Sequence, residues 1–87
     1  MTTSVGLLAK TKIKELFLEK ELPVPIISEE NSLVDDLGLK SMDLAILVAN
    51  LELELSVEPF LEDFAITDIR TLGDLCQAFE ETLKKQS

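Results

Sequence analysis

The sequence has no histidine and a single cysteine, Cys76. An internal disulfide is thereby excluded, and a structural zinc site has almost no ligands to draw on. Basic residues are also scarce, eight against seventeen acidic ones, for a formal charge of −9. Such a surface repels phosphate backbones and anionic lipid, so nucleic acid is not an expected partner. It favours a partner with a basic patch, because opposite potentials raise encounter rates. No apolar run approaches membrane-spanning length, and the first ten residues lack the charged start, apolar stretch and cleavage site of a signal peptide. The expectation is a cytoplasmic protein that does not insert into membranes, its lone thiol suited to a reducing compartment.

The 87 residues are 46% hydrophobic and 29% charged, a globular composition. They give room for one domain, 1–87 with a core from about 5 to 83, and a monomer is expected. A chain this short buries only roughly 60 to 65% of its unfolded surface, so the core must be thin.

From about Val5 to Glu21 the apolar residues Val5, Ala9, Ile13, Leu16 and Phe17 recur at helical spacing. Pro23 and Pro25 end that helix. A loop from about Leu22 to Lys40 follows, and Ile26, Ile27, Leu33 and Leu37 should tie it to the core. Loops this long are usually functional. Gly38 offers a tight turn before the next helix.

Ser41 to about Leu55 reads as a helix with two apolar faces. Leu44, Leu47, Val48, Leu51 and Leu55 cluster on one side, and Met42, Ala45, Ile46, Ala49 and Leu53 on the other, with Asp43, Asn50 and Glu54 along one flank and Glu52 on the other. A small bundle buries one broad stripe easily but not two, so the Met42 stripe should be at least partly exposed, as a binding surface often is. After Pro59, Asp63 to Ile69 reads as a short third helix of about two turns. Thr71 and Asp74 form a capping pair for a last helix whose stripe is Leu72, Leu75, Cys76, Phe79 and Leu83, with Lys84 and Lys85 at its end. Cys76 should therefore be a buried, inert thiol.

The run from Asp35 through Leu44, Asp-Asp-Leu-Gly-Leu-Lys-Ser-Met-Asp-Leu, resembles the modification motif of acyl carrier proteins. In that family an Asp-Leu-Gly-x-Asp-Ser-Leu sequence opens the second helix, and its serine receives phosphopantetheine from coenzyme A. The matching residues here are Asp36, Leu37, Gly38, Ser41 and, by similarity of type, Met42. Leu51-Glu52 is similar to a late Leu-Glu pair, and Ile69-Arg70-Thr71-Leu72 to an Ile-x-Thr-Val turn, so the resemblance runs from about Leu7 to Leu83.

The resemblance implies an all-α fold, a small four-helix bundle with a long first loop and a short third helix. It implies a carrier, not an enzyme, holding acyl groups as thioesters on 4'-phosphopantetheine attached to Ser41, for fatty acid, polyketide or related specialised lipid biosynthesis. The partners it implies are a phosphopantetheinyl transferase, an acyl-loading ligase or transferase, and synthases. A serine at a helix start suits the role physically, since unsatisfied backbone N–H groups there favour an attached phosphodiester; an ordinary N-cap is what the position alone suggests.

Lys40 stands where the family usually has aspartate, and Ile46 where carriers of bacterial fatty acid synthesis usually have glutamate. Both changes strip acidity from the partner-facing surface, which points to a specialised carrier that docks through apolar contact at Met42, Ala45, Ile46 and Ala49. Lys40 is also positioned to contact the phosphodiester on Ser41, or else is simply solvated. Asp35 and Asp36 read as a solvated acidic pair, since calcium-loop spacing is not met around Gly38. A serine hydrolase is excluded by the missing base and the absence of a nucleophile elbow around Ser41. A peptidyl or aminoacyl carrier, and a helical module that binds a partner without a covalent group, remain as alternatives.

Overall fold

The structure is a computed structural model describing residues 4–61 and 64–86. Its elements are α1 (Ser4–Glu19), α2 (Ser41–Leu55), a 3₁₀ turn (Ile66–Asp68) and α3 (Leu72–Gln86). The fold is all-α, with three α-helices among the described residues instead of the four expected. Asp63, the expected start of the third helix, lies outside the described residues. From Ile66 to Ile69 the chain makes only i→i−3 bonds, Asp68 N–H to Ala65 and Ile69 N–H to Ile66. Three of those four residues, Ile66, Thr67 and Ile69, are β-branched, and Ile66 turns to solvent, so neither propensity nor burial extends the turn into an α-helix.

The helix α1 packs against both α2 and α3. Its buried stripe is Val5, Ala9, Ile13 and Leu16; α2 contributes Leu47 and Leu51, and α3 contributes Leu72, Leu75, Cys76 and Phe79. Phe60, from the segment joining α2 to α3, meets Phe79 edge-on with ring centroids 6.1 Å apart. Cys76 is buried, and that burial pushes its thiol up to about 12.

Proline is not what terminates α1. Glu21 takes a left-handed conformation at φ 58°, and the amides of Glu21 and Leu22 reach back to the carbonyls of Leu18 and Phe17. This is a Schellman-type stop two residues ahead of Pro23.

The long loop is anchored mainly by Leu33, Leu37 and Leu39, which are buried, and by Ile27, which packs on the core. Ile26, expected to be an anchor, is 95% exposed. The loop also forms the cap of α3. Carbonyls of Glu29 and Asn31 accept the amides of Gly73 and Leu72, and the Leu33 amide donates to the Arg70 carbonyl. Gly73 lies so close to this strap that a Cβ there would sit 3.1 Å from the Glu29 oxygen. No helix among the described residues is long and apolar enough to cross a membrane.

Candidate functional site

The loop delivers the chain to α2 through Gly38, whose φ of +67° is the left-handed geometry that glycine tolerates best. The turn before it is closed by Asp36, whose carboxylate accepts the Ser32 amide at 2.7 Å, while the Asp35 amide donates to Ser32 Oγ. These two aspartates are thus parts of a local turn. Buried Leu37 and Leu39, either side of Gly38, hold the entry to α2 against the core.

Ser41 is the first residue of α2 and is not its cap; Lys40 occupies the cap position in extended geometry. An ammonium has no lone pair, so Lys40 cannot accept an amide hydrogen from the first turn as serine or aspartate would. The Ser41 hydroxyl is exposed and has no hydrogen-bond partner among the described residues. It is left available for chemistry at the positive end of a helix.

Asp43 was expected on a polar flank, but it is buried, 4% exposed. Its Oδ2 accepts Lys20 Nζ at 2.6 Å and the Lys40 backbone N–H at 3.0 Å. The hydrogen bond from Lys20 is the larger cause, the Lys40 amide the next, and together they hold the Asp43 carboxyl below its ordinary range against the opposing effect of burial. Two sequence signals bear on this contact: an aspartate at the third position of a helix, and a lysine just past the end of the preceding one.

One row of α2, Ser41, Leu44, Ala45, Val48, Ala49 and Glu52, faces Phe60 and Ile66 across a groove of about 440 Å³. The spacing from Ser41 to Glu52 is three turns of helix, about 16 Å of length. Ser41 stands at one end of this row and Glu52 at the other. Burial, with Glu58 nearby, pushes the Glu52 carboxyl above its ordinary range. The small side chains of Ala45 and Ala49 leave the groove open.

The expected docking residues are divided by this groove. Ala45 and Ala49 line it, whereas Met42 and Ile46 lie outside the lining, 72% and 40% exposed, continuing to Leu53 on the outer surface. Of the stripe expected to be core, only Leu47 and Leu51 are fully buried; Leu44 and Val48 are half-buried walls of the groove. The sequence wheel separates two faces but cannot show that a connecting segment stands off from one of them to leave a channel.

The apolar row starting at an unpartnered hydroxyl fits a flexible group tethered at Ser41, with room beside the helix for what that group carries. Lys40 is exposed immediately before it.

Comparison with known proteins points to the family. A family model described as phosphopantetheine attachment site matches residues 11–79. The chain is 35% identical over 74 residues to an acyl carrier protein of Thermotoga maritima, covering 84% of this chain and 89% of that protein. It is also similar to the solution structure of MacpD, an acyl carrier protein from Pseudomonas fluorescens involved in mupirocin biosynthesis, at 35% identity and a TM-score of 0.73. That match covers 82% of this chain and 63% of the MacpD chain.

Proposed function

From the premise that the chain belongs to the phosphopantetheine attachment family of acyl carrier proteins, we propose that Ser41 bears the arm and that α2 presents it to partner enzymes. The observation that carries this reading is the exposed, unpartnered Ser41 hydroxyl at the first position of α2 and at the end of the apolar groove. The arm, once attached, supplies a terminal thiol on which an acyl group rides as a thioester.

In the loading step Ser41 Oγ attacks the phosphorus of coenzyme A that carries pantetheine. The new Oγ–P bond replaces the bond to adenosine bisphosphate, which leaves with the electron pair, and the hydroxyl proton passes to a base of the transferase. The first-turn amides of α2 and the Lys40 cation beside them would hold the attached phosphodiester. The row Leu44, Ala45, Val48 and Ala49 offers the carried group an apolar wall away from water.

On this reading the chain is one carrier domain, 1–87 with a core from about 5 to 83, working as a cytoplasmic monomer. Its partners are a phosphopantetheinyl transferase, an acyl-loading ligase or transferase, and synthases of fatty acid, polyketide or related specialised lipid biosynthesis. Met42 and Ile46, with Ala45 and Ala49 beside the groove, form the docking stripe. Support for a specialised role comes from Lys40 and Ile46, and from the likeness to a carrier of mupirocin biosynthesis.

The test is to incubate the protein with coenzyme A and a broad-specificity phosphopantetheinyl transferase and to read its intact mass. Wild type should gain one phosphopantetheine and Ser41→Ala none. No gain on wild type would favour a module that binds without a covalent group, and equal gain on the alanine variant would move the arm to another residue.

A further inference from the structure

We propose that the ion pair between Lys20 and Asp43 is a positioning device for the acceptor serine, an inference that rests on Ser41 being the attachment residue. A single oxygen, Asp43 Oδ2, receives both the Lys20 ammonium at 2.6 Å and the Lys40 amide at 3.0 Å. Ser41 lies between Lys40 and Asp43 in the chain, so this one atom brackets it. The cap residue adds no side-chain acceptor of its own, which leaves Asp43 as the side chain that fixes this turn.

The backbone of Lys20 is placed by the end of α1, and its side chain, 43% exposed, reaches in to the buried Asp43. The Lys20 amide continues α1 by bonding to the Leu16 carbonyl, and the left-handed Glu21 directly after it sets where the chain departs. Lys20 lines a small cavity of about 30 Å³ together with Leu16 and Phe17 of α1, Leu22 just past it, and Gly38 and Leu39 from the entry to α2. Lys20 therefore holds Asp43 after Ser41 through charge, and shares a cavity with the entry before it.

Burying a carboxylate is a costly way to gain stability, since well-packed apolar side chains often serve as well or better. What the pair adds is a defined geometry. A hydroxyl presented to a second enzyme needs that, because a displacement of the order of 1 Å at a reacting atom costs about a hundredfold in rate. Lys20 and Asp43 are positioning residues; neither is assigned contact with coenzyme A.

The test uses Lys20→Met, which keeps the packing stem and removes the charge. Two quantities are read: amide hydrogen exchange at Lys40 in the unmodified protein, with the Leu75 amide of α3 as reference for global opening, and kcat and KM for arm transfer to Ser41. The expected result is Lys40 exchange faster by about tenfold with Leu75 little changed, and kcat lower by about tenfold with KM for the carrier nearly constant, because the exposed stripe is untouched. Lys20→Arg should restore both readings.

A folded Lys20→Met that keeps wild-type kcat would overturn the proposal, as would equal acceleration at Lys40 and Leu75. Should Lys20→Met not fold, the same comparison is made with Lys20→Gln, which keeps a neutral donor; wild-type kcat in that variant together with unchanged Lys40 exchange would equally overturn it. Failure of wild type to accept the arm, or its acceptance by Ser41→Ala, would sink the Ser41 assignment instead, and the Lys40 exchange result would still report on the clamp itself.

Discussion

Two helix starts in this molecule solve the same local problem in opposite ways. At α3, Thr71 Oγ1 accepts the Asp74 amide, and Asp74 Oδ2 accepts the amides of both Thr71 and Arg70, each at 3.1 Å. The loop carbonyls of Glu29 and Asn31 take the two amides that remain in the first turn. That end is closed. At α2 the cap is a lysine that cannot accept, the next residue is a serine with a free hydroxyl, and one buried carboxylate supplies the anchorage from the third position. A helix end sealed in this way by side chains and loop carbonyls has nothing left for a ligand. Phosphodiester attachment calls for the opposite, an end with vacant donors and a hydroxyl in solvent.

The contrast can be broken most forcefully at the closed end. Asp74→Ala removes both charge-assisted acceptances and should lower unfolding stability by about 1 to 3 kcal/mol, and Thr71→Ala should cost about 1 kcal/mol, both read by urea unfolding. Neither should slow arm transfer at a temperature where the variant is folded. Acid supplies a related test. The carboxyls of Asp74 and Asp43 are both held below the ordinary value of 3.8. The folded state therefore binds their protons more weakly than the unfolded state does. Their stabilisation is complete above that value and drains away as pH falls through the lowered folded values. Thermal melts from roughly pH 6 to pH 3 should show this loss, and it should be smaller in Asp74→Asn.

At the open end a smaller change of opposite sign is expected. Lys40→Asp installs an acceptor at the cap and removes a cation from the positive end of the dipole, which should raise stability by about 0.5 to 1 kcal/mol. The same change removes the cation proposed to flank the phosphodiester, so arm transfer or retention of the modified form should not improve with stability. Ile46→Glu, on the exposed stripe, should leave stability within about 0.5 kcal/mol while changing which synthases turn over the carrier. Equal turnover with every synthase tried would remove Ile46 from the docking surface.

The parts of the fold that follow from local pattern were legible in the sequence. The stripe of α1, the Thr71–Asp74 pair and the stripe of α3 fall where periodicity and capping chemistry place them, because each depends on residues within a turn or two. Gly38 was legible for the same reason. The expected third helix was not found among the described residues, because a short segment rich in β-branched residues has no buried stripe to override its propensity. Ile26 and Ile27 are equally apolar, yet only tertiary packing decides which one turns inward.

Around the proposed site, the helix start at Ser41 and the two apolar faces of α2 could be read from the motif and the wheel. The groove could not, since it depends on where Phe60 and Ile66 stand. The burial of Asp43 was only partly legible: its place at the third position of α2 signals the bond to the cap amide, but its partner Lys20 is 23 residues away.

Whether the open end of α2 carries the arm is decided by locating the modification. Wild-type protein would be loaded from coenzyme A by a phosphopantetheinyl transferase and fragmented in a mass spectrometer to find which residue bears the added group. Every informative fragment should place it on Ser41, with Ser28, Ser32 and Ser56 unmodified. A phosphopantetheine found on any other residue, with Ser41 bare, would contradict it.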